Sequence, residues 1–300
     1  MPNNIASASK YASELDQKII QGAKTGFFAD SEFKARFVGA KTVYLPTFEA
    51  DGLGSYERAG GENTEIGYSR GSVTVSQKPY ILTMERSKQL IIDAMDADES
   101  GVGNLVGKSV KKYTEMHVTP EVDAYVLATL FKTAVAKNNK TTFDSSKAVE
   151  QMLTAINNAE AASGYSNTKM VAFVDPVMYG ALMTSDKLER SITVSNFKQG
   201  GVDFTIKNIN GVAIIPVEAR RMKSEFNFTE TGFAPADGAV TANAIILPMN
   251  AASLIKKVDD IKVYSPDEVQ DFNAYKVNFL LYYDCIVTEA NKDLIFAIGG

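Results

Sequence analysis

The chain has 300 residues, 45% of them hydrophobic, a formal net charge of −5 and a pI near 5.2, with one cysteine, one histidine and no tryptophan. That is enough apolar material for one elaborate domain or two. No Lys/Arg run exceeds two, which removes the electrostatic footprint of a protein that grips nucleic acid by its phosphates. No apolar run approaches the ~18 residues of a membrane span, and the start, MPNNIASASKYASELDQKII, lacks the charged and apolar regions of a secretory signal. Cys285 has no internal partner and sits in an apolar run, FLLYYDCIV, so it reads as a buried, inert thiol suited to a reducing cytoplasm.

Tyr11, Leu15 and Ile19 recur at helical spacing and predict a short amphipathic helix ending near Gly22 and Gly26. A polar-aromatic segment, 27–40, continues from it, and the two make an N-terminal arm. Next come two extended stretches, 41–51 and 72–85, each reaching about 35–45 Å at roughly 3.3 Å per residue. Val73 and Val75, then Tyr80, Leu82 and Met84, alternate with their neighbours as in a half-buried strand interrupted at Pro79. The tip between them holds Gly52, Gly54, Gly60, Gly61, Gly67 and Gly71 and has no core of its own. A two-stranded ribbon of this kind is marginal alone and has edges that invite another chain. The hairpin is therefore expected to lie on a neighbouring copy, the alternative being an ordinary surface hairpin folded over its own domain.

The acidic cluster Asp93, Asp96, Asp98 and Glu99 lacks the spacing and turn glycine of a calcium loop and reads as a solvated turn before a helix. That helix carries the stripe Val106, Val110, Tyr113, His117, Ala124, Ala128, Phe131, Val135. One helix over 104–136 would span about 50 Å, with a kink at Pro120 or a fresh start there capped by Thr119. Val110, Tyr113, Ala124, Ala128 and Phe131 are expected to face a sheet built from C-terminal strands around Leu280 and Ile286.

Asp144 and Ser145 precede a second helix (Val149, Met152, Leu153, Ile156, Ala159) that stops at Gly164. A buried strand, KMVAFVDP, a helix from Pro176 to about 189, the strands VDFTIKNI, GVAIIPV and AIILPM, and a terminal pair, AYKVNFLLYYDCIVTEA and LIFAI, complete the pattern. Residues 219–243 read as a polar loop, with Arg220 and Arg221 solvated in it. Helices and strands interleave without a βαβ series, which predicts an α+β fold.

Catalytic machinery is sparse. His117 lies on the apolar stripe and reads as a packed core residue, so no triad has a base. The pairs Gly60–Gly61 and Gly200–Gly201 do not join a strand to a phosphate-cradling helix with a lysine. No cofactor or metal is implied.

The succession LPTFEADGLGSYER, YILTMERSKQLIIDAMDADES and VTPEVDAYVL resembles the major capsid proteins of tailed double-stranded DNA bacteriophages, whose shell fold is that of the Hong Kong ninety-seven phage. The resemblance follows the chain in order and is motif-specific between about 44 and 126. It implies an N-terminal arm (1–40), an extended E-loop with supporting strands (41–86), a P-domain with a long spine helix (87–144), an A-domain (145–260) and closing strands (261–300). It also implies self-assembly into pentamers, hexamers and an icosahedral head around the genome, located in the virion and assembled in the host cytoplasm. Implied partners are other copies, a separate scaffolding protein or prior processing, a portal, decoration proteins in some cases, and DNA enclosed without sequence-specific binding. Leu53, Tyr56, Glu57, Arg58, Glu85 and Arg86 are the expected inter-subunit contacts, the charged ones pairing across interfaces. Lys41 and Lys78 are confined to the hairpin base, so the covalent lysine crosslinking of some relatives is not expected. An encapsulin-like compartment shell has the same fold and differs by its cargo; an α+β hydrolase or ligand-binding domain is the reading from another class.

Overall fold

The computed structural model describes residues 23–30, 36–38, 42–54, 56, 68, 70–95, 105–164, 169–185, 192–199, 202–269 and 273–300. The predicted helix of Tyr11, Leu15 and Ile19 lies outside these residues, as do Lys41, Glu57, Arg58, the glycines 60, 61 and 67, most of the acidic cluster, and Gly200–Gly201. The chain divides into a hairpin unit, Glu32–Thr83, and a main unit formed by Met1–Ser31 with Met84–Gly300.

In the hairpin unit, β1 (Arg36–Val38), β2 (Thr42–Ala50) and β3 (Val73–Ile81) form an antiparallel sheet in that order. The β2–β3 ladder runs unbroken from Thr42 opposite Ile81 to Ala50 opposite Val73. Pro79 does not interrupt it, because β3 is an edge strand and tolerates a residue without a donor. The long extended stretch 72–85 is in fact two strands, divided at Leu82–Thr83 and placed in different sheets.

The main unit opens with a helical turn (Gly26–Asp30) and, after the hairpin unit, resumes with β4 (Met84–Asp93), α1 (Leu105–Tyr113), a π-helical turn (Thr114–Val118) and α2 (Thr119–Ala136). The last three segments run on without a break. Pro120 has no amide to donate, and the turn before it is widened so that the Thr119 amide donates to the Thr114 carbonyl, five residues back. The predicted kink is therefore this π turn, one of the few devices that accommodate a helix interior to a missing hydrogen bond.

Beyond α2 come β5 (Lys140–Thr141), α3 (Ala148–Ala162), β6 (Met170–Val174) and α4 (Pro176–Met183), which ends earlier than the pattern predicted. Asp175 caps α4 by accepting from the Met178 amide at 2.8 Å, with Pro176 in the first turn. Then follow β7 (Ile192–Gln199), β8 (Val202–Ile209), β9 (Val212–Pro216), β10 (Phe226–Thr229), β11 (Gly232–Pro235), β12 (Ala242–Pro248), β13 (Ala252–Tyr264), β14 (Ala274–Val287), α5 (Glu289–Lys292) and β15 (Phe296–Gly299). Asn210 and Gly211, both at positive φ, make the two-residue turn between β8 and β9.

A seven-stranded mixed sheet, ordered β5-β15-β12-β6-β9-β8-β7, lies between two helical layers. Along β6, Val171 and Phe173 join the core containing α2, whereas Met170, Ala172 and Val174 join the core containing α3 and α4. β12 divides the same way, with Ile245 and Leu247 on one side and Ala244 and Ile246 on the other. That is why both read as continuous apolar runs: each face is covered. Gly299 in β15 is fixed by space, since a Cβ there would stand 2.4 Å from the Thr241 carbonyl and 3.1 Å from the Phe131 ring.

α2 is also flanked by a three-stranded sheet, β13-β14-β4, and by the β10–β11 hairpin. Tyr283 of β14 meets Tyr125, Phe279 meets Tyr113, and Phe226 of β10 joins Ala124 and Ala128. Several expectations change as a result. Val110 and Phe131 do share a core with β14, but Ala124 and Ala128 face the hairpin instead, and Leu280 is turned outward. Val135 is exposed, and so is His117, whose ring lies 5.0 Å from Tyr113. The supposed polar loop 219–243 contains β10 and β11, and the supposed terminal pair, β14 and β15, belongs to separate sheets. The described part of the arm around Phe27 and Phe28 is core: both rings are buried and lie about 6 Å from Phe173.

Truncating Phe131 to alanine should cost about 3–5 kcal/mol, a typical figure for a buried aromatic. Lys132→Ala removes only an exposed pair with Glu225 at 2.7 Å and should cost about 0–1 kcal/mol. Denaturant melts of the two variants check this; equal losses would mean that Phe131 is not a core residue.

Candidate assembly surface

The hairpin unit is tied at the neck of its tip. The Asp51 carboxylate accepts from the Ser72 amide at 2.7 Å and from the Ser72 hydroxyl at 3.0 Å, while the Asp51 amide donates to the Ser72 carbonyl. These hydrogen bonds hold the Asp51 carboxyl below its ordinary value. Within the tip, Tyr56 and Tyr68 meet edge to face at 5.2 Å. Both rings stay exposed, as does Leu53. On β3 the expected half-burial is absent: Val73 is 71%, Val75 58% and Ile81 68% exposed. Scattered apolar residues are ordinary on a surface, but a strand with three of them open to water is surface of the kind that association removes. Glu57 and Arg58 lie outside the described residues, so the expected contact set is represented here by Leu53 and Tyr56 alone.

On the main unit, Glu85 is exposed, but Arg86 is engaged within the chain. Its guanidinium grips both oxygens of Glu121 at 2.5 and 3.2 Å and donates to the Thr229 carbonyl at 2.7 Å. Its carbon lies 5.9 Å from the centre of the Phe228 ring. Arg86 thus joins β4, α2 and the turn of the β10–β11 hairpin. A cleft of about 300 Å³ opens beside it, lined by Lys88, Tyr113, His117, Glu121 and Tyr283 among others.

The Pro-Glu-x-Asp-Ala run at 120–124 is structural at every named position. Pro120 sits at the π turn, Glu121 holds Arg86, and Ala124 is small enough for Phe226 to pack on it. Asp123 is wholly buried. It accepts from the Lys24 amide at 3.0 Å, the Thr25 amide at 3.1 Å, the Thr25 hydroxyl at 2.6 Å and Arg221 Nη1 at 2.9 Å. Burial pushes its carboxyl above the ordinary value, and these four donors pull the other way. Arg221, expected in solvent, is buried in this ion pair; only Arg220 stays outside, against Glu218. No spacing rule links residues 98 apart in sequence, so this partner was beyond pattern reading. The one hint was an acidic residue between the apolar Val122 and Ala124 of the helix.

Nucleophilic chemistry has little footing. Cys285 is buried, and burial together with the Asp284 charge drives its thiol far above the ordinary value, leaving no thiolate. Among the described residues no group of His, Cys, Asp and Glu is placed to hold a metal ion, and no helix is long and apolar enough to cross a membrane.

No family model matches the chain, and no curated protein matches it. Solved structures do. A chain from Microbacterium phage Oxtober96 is 15% identical, with a TM-score of 0.59 over 92% of this chain and 90% of that one. A chain from the asymmetric unit of the bacteriophage PhiM1 mature capsid is 12% identical, with a TM-score of 0.55 over 87% and 82%. A virus-like particle from Pyrococcus furiosus is 10% identical, with a TM-score of 0.54 over 98% and 100%. The likeness is one of fold, and it is the α+β Hong Kong ninety-seven-like fold that the sequence resemblance implied.

Asp123→Ala strands the Arg221 guanidinium in the core and should cost about 3–5 kcal/mol, whereas Glu218→Ala should cost about 0–1; urea midpoints compare the two. At the neck the sign is the opposite of a buried acid. Because the folded Asp51 carboxyl titrates below its ordinary value, its tie to Ser72 is complete above that value and is lost as pH falls through the depressed midpoint. The Ser72 amide resonance should follow that same low midpoint, and an amide shift indifferent to pH would dissolve the tie.

Proposed function

We propose that this chain is a major capsid protein of a tailed double-stranded DNA phage, one that assembles copies of itself into pentamers, hexamers and a closed head around the genome. The observation that carries the reading is the hairpin unit: a long ribbon whose β3 apolar residues and described tip side chains Leu53, Tyr56 and Tyr68 are open to water, on a chain that shares its fold over 87% of its length with a capsid chain. A ribbon with one strand open to water gains stability from what it lies on. In a closed shell every copy supplies that surface to its neighbour, and symmetry multiplies contacts that are individually weak.

In this reading residues 1–40 are the N-terminal arm, 41–86 the E-loop and its supporting strands, 87–144 the P-domain with its spine, 145–260 the A-domain and 261–300 the closing strands. Leu53, Tyr56, Glu57, Arg58 and Glu85 meet the neighbouring copy, and Arg86 braces the platform that receives them. The acidic balance keeps the lumen from clinging to DNA. A separate scaffolding protein and a portal complete the assembly, which takes place in the host cytoplasm and ends in the virion. No step calls for catalysis or a cofactor. The fold likeness to the Pyrococcus furiosus virus-like particle supports a second reading, a compartment shell that holds protein cargo. The contents decide between the two, since a head holds DNA and a compartment holds an enzyme.

Purified with its scaffold, the protein should form rings or hollow shells in electron micrographs; a sharp monomer peak at every concentration would overturn the assignment. Replacing residues 53–70 by a short Gly-Ser turn should leave the circular dichroism of the main unit intact, because loop tips carry no core, and should abolish shells. Normal shells from that variant would mean that the tip makes no contact between copies.

A further inference from the structure

The cleft beside Arg86 lies within the main unit, where β4 supplies Arg86, the π turn His117, α2 Val122 and β14 Tyr283. One of these groups is out of balance. Tyr283 is 1% exposed, yet its hydroxyl makes no hydrogen bond among the described residues. A buried hydroxyl without a partner is costly, and native chains seldom keep one unless something else completes the bond. Burial, and after it the charge of Glu121, holds this phenol well above its ordinary value, so it stays protonated and able to donate.

Arg86 adds a second donor to the same wall. Its Nε and Nη2 are committed to Glu121 and to the turn of the β10–β11 hairpin, while Nη1 makes no hydrogen bond among the described residues. Both oxygens of Glu121 are already held by that clamp, so the open polar capacity beside Tyr283 is chiefly donor. Lys88 lines the cleft too and adds a positive charge; Glu230, the other acid of the lining, is exposed. The remaining lining is flat and apolar. The Tyr113 ring lies 5.0 Å from both His117 and Phe279, which makes an aromatic wall, and Val118, Val122 and Leu281 are buried. His117 and Val118 arrive there by way of the π turn, a device that gathers at functional sites.

We propose that this cleft binds a small aromatic carboxylate, its ring against the Tyr113 wall and its carboxylate accepting from the Tyr283 hydroxyl and Arg86 Nη1. A volume of about 300 Å³ suits an acid of one or two rings. A cation would face Arg86 and Lys88, and a wholly apolar ring would leave the hydroxyl unpaired. The site is complete in one subunit and stands apart from the shell reading.

Titration calorimetry on unassembled subunits tests it with 2-naphthoate as the probe. One saturable site is expected, and 2-naphthalenemethanol, the same ring system without the charge, should bind at least ~10-fold more weakly. Tyr283→Phe removes only the hydroxyl. Because that group has no protein partner, the variant should melt at or above the parent, and its affinity for naphthoate should fall about 10-fold. In the parent, nuclear Overhauser contacts from the naphthoate ring should reach the methyl groups of Val118, Val122 and Leu281. Absence of saturable binding leaves the cleft to water and overturns the proposal. Equal affinity for acid and alcohol, equal affinity of parent and variant, or contacts only to other methyl groups does the same. A Tyr283→Phe variant that melts well below the parent, or fails to fold, shows that the hydroxyl is already partnered and removes the premise.

Discussion

A carboxylate with no access to water organises the main unit. Asp123 cannot sit in the interior unaccompanied, because an unpaired buried charge costs several kcal/mol even after relaxation. Its donors come from two remote places: the segment at Lys24–Thr25 and the turn that carries Arg221. Neither segment satisfies it alone, so the N-terminal segment and the turn must be drawn to the helix together. Phe27 and Phe28 follow Thr25 by two and three residues and are thereby delivered onto Phe173. One polar requirement fixes where the apolar cover lands. The arrangement leaves Arg221 Nε without a partner among the described residues, so the pair secures position more than it maximises hydrogen bonding.

Around that point the helix is enclosed by the seven-stranded sheet, by β14 with its neighbours, and by the β10–β11 hairpin. Enclosure on several sides explains the composition of α2, where Val122, Val126, Leu127, Leu130, Phe131 and Ala134 leave little room for a polar face. It also explains why a proline could be accepted. Thr114 and Val118 are buried at the two ends of the π turn and hold the widened turn in place.

How far the sequence could be read follows from the same geometry. Elements whose surroundings are simple were legible: β6 as a doubly covered strand, the β8–β9 turn region, the α3 helix with its stop at Gly164, and the inert Cys285 in β14. Elements whose burial is asymmetric or imported were not. The α2 stripe of Ala124, Ala128 and Val135 assumed a single partner, and with several partners the periodicity carries no face. β13 escaped because its charges suggest solvent, although Leu254, Ile255 and Ile261 are buried. The β10–β11 strands are four residues each and sit amid Gly, Asp and Thr, so local composition said loop. Arg221 and the Arg86–Glu121 clamp depend on residues that are distant in sequence, and no single-chain pattern encodes such partners. In the hairpin, alternation at Val73 and Val75 predicted burial, and both side chains are exposed.

The tie between Asp51 and Ser72 has a consequence for how such a chain can change. A loop closed at its neck by its own hydrogen bonds is insulated from the register of the strands below it. Lengthening a closed loop adds only about 0.6 kcal/mol of entropy for each doubling. Residues can therefore be gained or lost between positions 52 and 71 while Thr42 stays opposite Ile81 and Ala50 opposite Val73. The ribbon below sets the reach, and the tip is the part that can take up extra residues or carry a grafted peptide.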